Sequence, residues 1–522
     1  MTAAEAVLQK QVVAVIDIGS SAIRMVVAEV GPKTEIRYLE NLQKPVALGK
    51  DVFTTGRISN LVMREGISIL KNFKTVTDSY GIKKIHAIAT SAVRDAANRD
   101  NFIDQIFVRT GIDVEILDGA EENRLELIAV EHALGEKYDY QKKSCLIIEV
   151  GSGSTEMIIL NQGEVELTRT LSIGSIRLPE QAIAGKTAPA VVQRVLKRSI
   201  HDIAQYAGRE YSLGEIDTFI ALGGDMRFVA KQSNENLSDS FAIIENKVLL
   251  QFIDSLSKMS TEEIADKYTL AYAEAESLLP ALLFYAYFLA ETKADKVIVP
   301  MVSIRDGLLL ELSQMLSGYR RTDAAKQVIG SARRLGKKYK YDEPHALCVA
   351  TLCLKIFDLL KDDHGLGSRE RLLLEVSAIV HDIGMFVSHS GYHKHSSYLI
   401  DAAEIFGLRK ADKNVVSNVV RYHRRSMPQE SHEPYMSLPR ADRAIVSKLA
   451  VILRVADALD KSRQQKIRNF TLENVDETYT IWVSEDVGDI SVERDSLAKK
   501  SLVFAEVFGA PVLLKQGNPP KG

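Results

Sequence analysis

Two stretches of the chain carry an acid, a glycine and hydroxyl groups in the same order. VIDIGSSAIRM (15–25) sets Asp17 at the end of an apolar run, followed by Gly19, Ser20 and Ser21. IEVGSGSTEMII (148–159) sets Glu149 in the same place, followed by Gly151, Ser152, Gly153, Ser154, Thr155 and Glu156. Small residues at a strand-to-strand turn let successive backbone N–H groups converge on phosphate oxygens, and the hydroxyls add donors. Acids at the strand ends suit Mg²⁺ or its hydration water. Arg94, in ATSAVRDAAN, brings a planar fork matched to phosphate oxygens, and Gly223 and Gly224 beside Arg227 offer another turn. Glu121 and Glu122, in LDGAEENR, sit between a strand-like DVEIL and a helical LELIAVEHAL. An acid there is either a favourable first-turn charge or a carboxylate that faces a cleft and takes a proton from water during phosphoryl transfer. GxxxxGK[ST] is absent, which gives no support to a P-loop, and GSGSTE runs into a strand, unlike a dinucleotide fingerprint.

A second set lies further on. Of 11 histidines, eight fall between His345 and His432. His345 begins an amphipathic helix, His381 and Asp382 end another in AIVHDIG, and Asp457 lies on a helical pattern in LRVADALD. Two imidazoles and two carboxylates brought together between helices can coordinate a divalent transition metal or Mg²⁺. His393, His395 and His423, with Lys394, Arg421, Arg424 and Arg425, form a further polar cluster that could face phosphate or an interdomain channel; His364 and His432 read as loop residues.

The elements that must position these groups show an internal repeat. IDIGSSAIRMVV (16–27) aligns without a gap on IEVGSGSTEMII, matching Asp17 to Glu149, Gly19 to Gly151, Ser20 to Ser152 and Met25 to Met157. Each copy reads as strand, small-residue turn and strand, with a hairpin partner after it. The spacing predicts a helix over 61–79, stopped by Gly81, and short strands at 85–90 and 113–117. Strands alternating with helices indicate a duplicated α/β core with a cleft between its halves. From about residue 316 the pattern turns helical, and 467–522 returns to strand-like FTLENV, YTIWVS (with Trp482) and ISVER before a small helix and APVLL. The expected segments are 11–135, 136–315, 316–466 and 467–522.

Bulk composition narrows the classes. The 522 residues are 46% hydrophobic and 26% charged, with 66 basic against 69 acidic residues. That speaks against extended disorder and against a general surface for double-stranded nucleic acid. Three cysteines, Cys145, Cys348 and Cys353, suit a reducing compartment. No uncharged apolar run reaches eighteen residues and the N-terminal segment does not read as a signal peptide, so a cytoplasmic protein without membrane insertion is expected.

With these motifs the chain resembles the exopolyphosphatase / guanosine pentaphosphate phosphohydrolase family of the actin-like, sugar-kinase and Hsp70 superfamily. The carriers are VIDIGSSAIRM, ATSAVRDAANRDNF, LDGAEENRL and EVGSGSTEM. The resemblance implies an α/β, duplicated actin-like (ribonuclease H-like) ATPase core, an all-helical HD-like domain and a small C-terminal α+β unit. It implies Glu121 as the base that activates water, Asp17, Glu149 and Glu156 around Mg²⁺, and phosphate held by Gly19–Ser21, Gly151–Thr155 and Arg94. An exopolyphosphatase that releases terminal orthophosphate from inorganic polyphosphate is the first activity it implies, with hydrolysis of guanosine pentaphosphate (pppGpp), or both in one site, as the alternative, by a homodimer. His345, His381, Asp382 and Asp457 match the order of the metal set of HD-domain phosphohydrolases, which implies a second divalent metal. The chain departs from the family's DxGGGSxE pattern by Glu149 and Ser152, and from its first motif by Ser21 in place of asparagine. A kinase-like phosphotransferase and a phosphate-sensing non-enzyme are the alternatives.

Overall fold

The computed structural model describes residues 10–32, 34–140, 142–177, 194, 198, 212–233, 238–316, 322–425 and 427–517. It divides into two units, residues 1–321 and 322–522.

The first unit is built on two sheets. β1 (Gln11–Ile18), β2 (Ala22–Val30), β3 (Ile36–Pro45), β4 (Ile85–Ala89) and β5 (Val114–Ile116) lie in the order β3-β2-β1-β4-β5. β6 (Ser144–Val150), β7 (Thr155–Asn161), β8 (Glu164–Leu171), β9 (Thr218–Leu222), β10 (Phe241–Glu245) and β11 (Lys296–Pro300) lie in the order β10-β11-β9-β6-β7-β8. β1 pairs antiparallel with β2 and parallel with β4; β6 pairs antiparallel with β7 and parallel with β9. The repeat is therefore one of topology as well as of residue type. β1 and β6 are covered on both faces, which is why they read as near-continuous apolar runs.

Two further features position the cleft. The helix Ile304–Leu316 follows β11, yet its Leu308 and Leu309 pack with Val13, Val15 and Leu125 of the first half. A division at residue 136 thus gives one helix of the later segment back to the earlier core. The helix Tyr272–Ala290 is long and apolar enough to cross a membrane by length and composition. Its Leu278, Leu282, Phe284, Tyr285 and Phe288 are buried in the core of the second sheet, which accounts for the apolar run.

In the second unit the helices Glu343–Leu359, Ser368–Val380, Lys410–Tyr422 and Arg440–Leu459 surround one core. The terminal strands β12 (Thr471–Val475), β13 (Thr478–Val483) and β14 (Val512–Gln516) form a sheet in that order. Phe470, Ile481, Phe504 and Val512 belong to the same apolar cluster as Leu449 and Leu453, so the terminal segment shares its core with the helices. ISVER is not a strand. Ser491–Ala498 is a helix whose first amide, on Ser491, donates to Asp489 Oδ1 at 2.9 Å, and Glu493 and Leu497 are buried one turn apart.

Candidate active site

The two repeat turns meet at one cleft of the first unit. In each, a glycine amide closes the turn: Gly19 N–H donates to Ala22 O at 3.1 Å and Gly151 N–H to Ser154 O at 2.9 Å. Ser152 Oγ donates to Ser21 Oγ at 3.2 Å, and Ser20 Oγ lies 3.1 Å from Ser91 Oγ. The cleft holds about 390 Å³, and Asp17, Gly19, Ser20, Ser21, Glu149, Gly151, Ser152, Ser154 and Glu156 line it. Gly153 and Thr155 do not. A Cβ on Gly153 would lie 2.1 Å from Phe53 Cζ, so glycine there permits packing. Thr155 Oγ1 donates to Ile173 O at 2.9 Å and ties the turn from below.

The helix Gly119–Leu134 decides which acid reaches the cleft. Asp118 caps it by accepting from Glu121 N at 3.0 Å. Successive helical residues are turned by about 100°, so Glu121 and Glu122 face different neighbours, whereas Glu122 and Glu126 share a face. Glu122 and Glu126 line the cleft. Glu121 is bound on both oxygens by Arg124, from Nη2 at 2.7 Å and Nε at 2.9 Å, and Arg124 Nη2 also reaches Glu311 at 2.9 Å. The expectation of Glu121 as the base is corrected accordingly: its carboxylate is spent on an internal ion pair. Arg94 anchors Glu122: its Nη1 donates to Leu117 O at 2.8 Å and to the Glu122 carboxylate. The cleft's own guanidiniums are Arg24, Arg227 and Arg305.

Strand pairing sets the remaining charges. Asp17 stands opposite Arg24 across β1 and β2, and Glu149 stands opposite Glu156 across β6 and β7. Arg24 is thus the repeat counterpart of Glu156, which is the signal that could have singled it out from sequence. Glu126 was recoverable from its four-residue spacing to Glu122. Arg305 and the cleft acid Asp225 were not, because only the fold brings their helices here. Burial drives the Glu122 carboxyl up to about 7, with the charges of Asp17 and Glu149 adding and Arg94 opposing. Burial also holds Glu126 and Glu156 well above the usual carboxylate range, reinforced by the neighbouring acids.

So many acids in one cleft suit a divalent cation. Glu156 Oε1 is buried with no hydrogen-bond partner. Among the described residues no three cleft acids bring ligand atoms within 4.8 Å of one another. Asp17, Glu149 and Glu156 therefore fit an ion such as Mg²⁺ that keeps water and phosphate oxygens in its shell, and not a closed protein cage.

In the second unit, His345, His381 and Asp457 do converge within 4.8 Å. Asp382 lies beside them, with Oδ1 3.4 Å from His381 Nε2. His423 is fully buried, its ring centroid 5.2 Å from that of His381, and belongs with this group. His364 is no loop residue: buried, it donates from Nε2 to Phe357 O at 2.8 Å and accepts from Leu366 N. His432 Nδ1 accepts from Gln429 N at 3.2 Å at a helix start.

A duplicated α/β core whose two matched turns meet at one cleft is the frame of an actin-like fold. The model of the Ppx/GppA phosphatase family matches residues 26–316, and that of Ppx/GppA phosphatase domain III matches 329–507. The chain belongs to the Ppx/GppA phosphatase family. It is 24% identical to a guanosine-5'-triphosphate,3'-diphosphate pyrophosphatase of Pseudoalteromonas translucida, over 96% of this chain and 95% of that protein. A protein of the same name from Aeromonas salmonicida is 25% identical over 96% of this chain and 98% of its own. Among solved structures, an exopolyphosphatase from Cytophaga hutchinsonii has a TM-score of 0.53 at 22% identity, covering 59% of this chain and 99% of that one. That likeness shows the fold.

Proposed function

We propose that the cleft of the first unit hydrolyses the terminal phosphoanhydride bond of a phosphate chain, with pppGpp as the first substrate and inorganic polyphosphate as the second. The observation that carries this is the pair of matched turns, Gly19–Ser21 and Gly151–Ser154, facing one cleft that Glu122 also lines. Amides and hydroxyls of the turns, with Arg24, Arg227 and Arg305, bind the phosphate oxygens. Mg²⁺ on Asp17, Glu149 and Glu156 supplies neutralising charge to the phosphates when bound. Glu122 accepts the proton of the attacking water as its oxygen bonds to the terminal phosphorus; the bond from that phosphorus to the bridging oxygen breaks, the chain shortened by one phosphate departs on that oxygen, and the terminal group is released as orthophosphate. A carboxyl raised to about 7 is matched to that task near neutral pH, and Arg94 holds it in place.

Two features favour a nucleoside-bearing chain. Phe228, Leu270 and Leu278 give one part of the cleft an apolar wall beside Glu274 and Ser277, which suits a base and ribose better than a bare polyanion. The relatives that span nearly the whole chain carry the pyrophosphatase name. The three guanidiniums support polyphosphate as the second reading. Free Cys145, Cys348 and Cys353 fit action in the cytoplasm, and a homodimer is proposed with it.

Incubation of the purified protein with pppGpp, long-chain polyphosphate and ATP, each with and without Mg²⁺, tests the proposal. Orthophosphate should appear fastest from pppGpp and only with Mg²⁺. No release from pppGpp or polyphosphate by folded protein refutes it.

A further inference from the structure

The core of the second unit contains bare, buried lone pairs. His345, His381 and His423 are at most 1% exposed, and Nε2 of each lacks a hydrogen-bond partner; so does Oδ1 of buried Asp382. Burial without partners is costly, so such groups point to something missing from the protein atoms alone. The other nitrogen of each ring is engaged. Nδ1 of His381 and of His423 face the carbonyls of Ala378 at 2.7 Å and Val420 at 2.5 Å, and Nδ1 of His345 faces Asp460 Oδ2 at 2.8 Å. A carbonyl only accepts, so Nδ1 of His381 and His423 carries the proton and Nε2 presents a lone pair. This is the outer arrangement that fixes a ligating imidazole.

These lone pairs share a target. A ring nitrogen of His345, a ring nitrogen of His381 and a carboxylate oxygen of Asp457 lie within 4.8 Å of one another, and His345 Nε2 is 3.8 Å from Asp457 Oδ1. Both aspartates are held from behind by cations. Lys500 Nζ donates to Asp457 Oδ2 at 2.7 Å, which leaves Asp457 Oδ1 toward His345, and Arg463 donates to Asp382 Oδ2, whose Oδ1 lies 3.4 Å from His381 Nε2 and whose Oδ2 lies 3.8 Å from His345 Nε2. Lys500 is itself anchored by Arg454 O at 2.9 Å.

We infer that His345 Nε2, His381 Nε2 and Asp457 Oδ1, with Asp382 Oδ1 beside them, hold one divalent transition-metal ion, and that Lys500 is a positioning residue that aims Asp457 at it. Two imidazoles and carboxylate oxygen select Zn²⁺, Fe²⁺, Co²⁺ or Mn²⁺ over Mg²⁺, unlike the all-oxygen set of the cleft. The ligands sit on the helices Glu343–Leu359 and Arg440–Leu459 and at the end of Ser368–Val380, so the ion ties three helices together. Lys500 stands between the helices Ser491–Ala498 and Ser501–Phe508, so the terminal segment closes the site.

The test uses the full chain, purified without chelator or affinity histidines, and metal analysis after dialysis against Zn²⁺, Mn²⁺, Fe²⁺ and Co²⁺ in turn. One equivalent of a transition metal should remain. His381→Ala and the isosteric Asp457→Asn should lose it, while Glu149→Gln in the cleft keeps it. Chelation should lower the melting temperature of the parent and leave that of His381→Ala unchanged. Lys500→Met should still bind one ion at saturation but ~10–100-fold more weakly. Its Co²⁺ form should show an altered visible absorption band. Absence of any transition metal in the parent, or its full retention in both His381→Ala and Asp457→Asn, overturns the site. Unchanged or tighter binding in Lys500→Met overturns the role of Lys500.

Discussion

Exchanging one carboxylate for an amide at two adjacent positions separates catalysis from packing. Glu122→Gln keeps the shape of a side chain that lines the cleft but removes the proton acceptor. Loss of a general base costs roughly 10²–10⁴-fold in rate, or about 3–5 kcal/mol of barrier. Substrate binding should persist, because the turns and Arg24, Arg227 and Arg305 are untouched, so the loss falls on kcat. Glu121→Gln acts elsewhere. The Arg124 and Glu121 side chains are 15% and 8% exposed, and breaking such a pair costs about 3–5 kcal/mol when the survivor is left alone. Here Glu311 still holds Arg124 at 2.9 Å, and a glutamine oxygen still accepts from it, so the cost should fall to about 1–2 kcal/mol. Steady-state orthophosphate release and urea unfolding of both variants measure the two effects. A Glu121→Gln enzyme that loses orders of magnitude in kcat, beside a Glu122→Gln enzyme close to the parent, would refute the assignment.

Other perturbations follow from the same geometry. Because the Glu122 carboxyl is raised to about 7 and must be unprotonated to accept a proton, kcat/KM should climb with pH below that value and level off above it. A pH–rate profile without that limb in the parent contradicts the base role. Gly153→Ala should cost about 1–3 kcal/mol by overpacking against Phe53, seen as a melting temperature lower by several degrees. Arg24→Gln should raise KM for a phosphate-chain substrate more than it lowers kcat, since its guanidinium lines the cleft opposite Asp17, and initial-rate kinetics will show which parameter moves.

The duplicated core was legible because strand period, acid position and turn glycine recur together at 16–27 and 148–159, and sheet registry preserves that phase. The choice between Glu121 and Glu122 was not. Two neighbouring acids at a helix start look alike until the face that carries Arg124 is covered, and Glu311, which completes that cover, lies far along the chain on Ile304–Leu316. The anchoring of Glu122 by Arg94 was not legible either, since a phosphate fork and an internal anchor have the same residue type. In the second unit the order His345, His381–Asp382, Asp457 was readable from helical spacing. The approach of His423 to His381 was not, because it depends on how the ends of two helices meet in the folded core.

Arg24 and Glu156 occupy one rung in the two copies of the hairpin, so the duplicated strand–turn–strand units carry opposite charge there, while Asp17 and Glu149 keep the same sign. A phosphate chain bound as proposed across the two turns would meet a guanidinium at one side and a crowded carboxylate at the other. Its two ends are therefore not interchangeable, although the backbone that cradles them is duplicated. The favoured direction is the one that sets the more anionic stretch toward Arg24 and leaves the carboxylate side to whatever neutralises it. The sign change at this rung gives two otherwise matched turns a polarity that their backbones alone would not have.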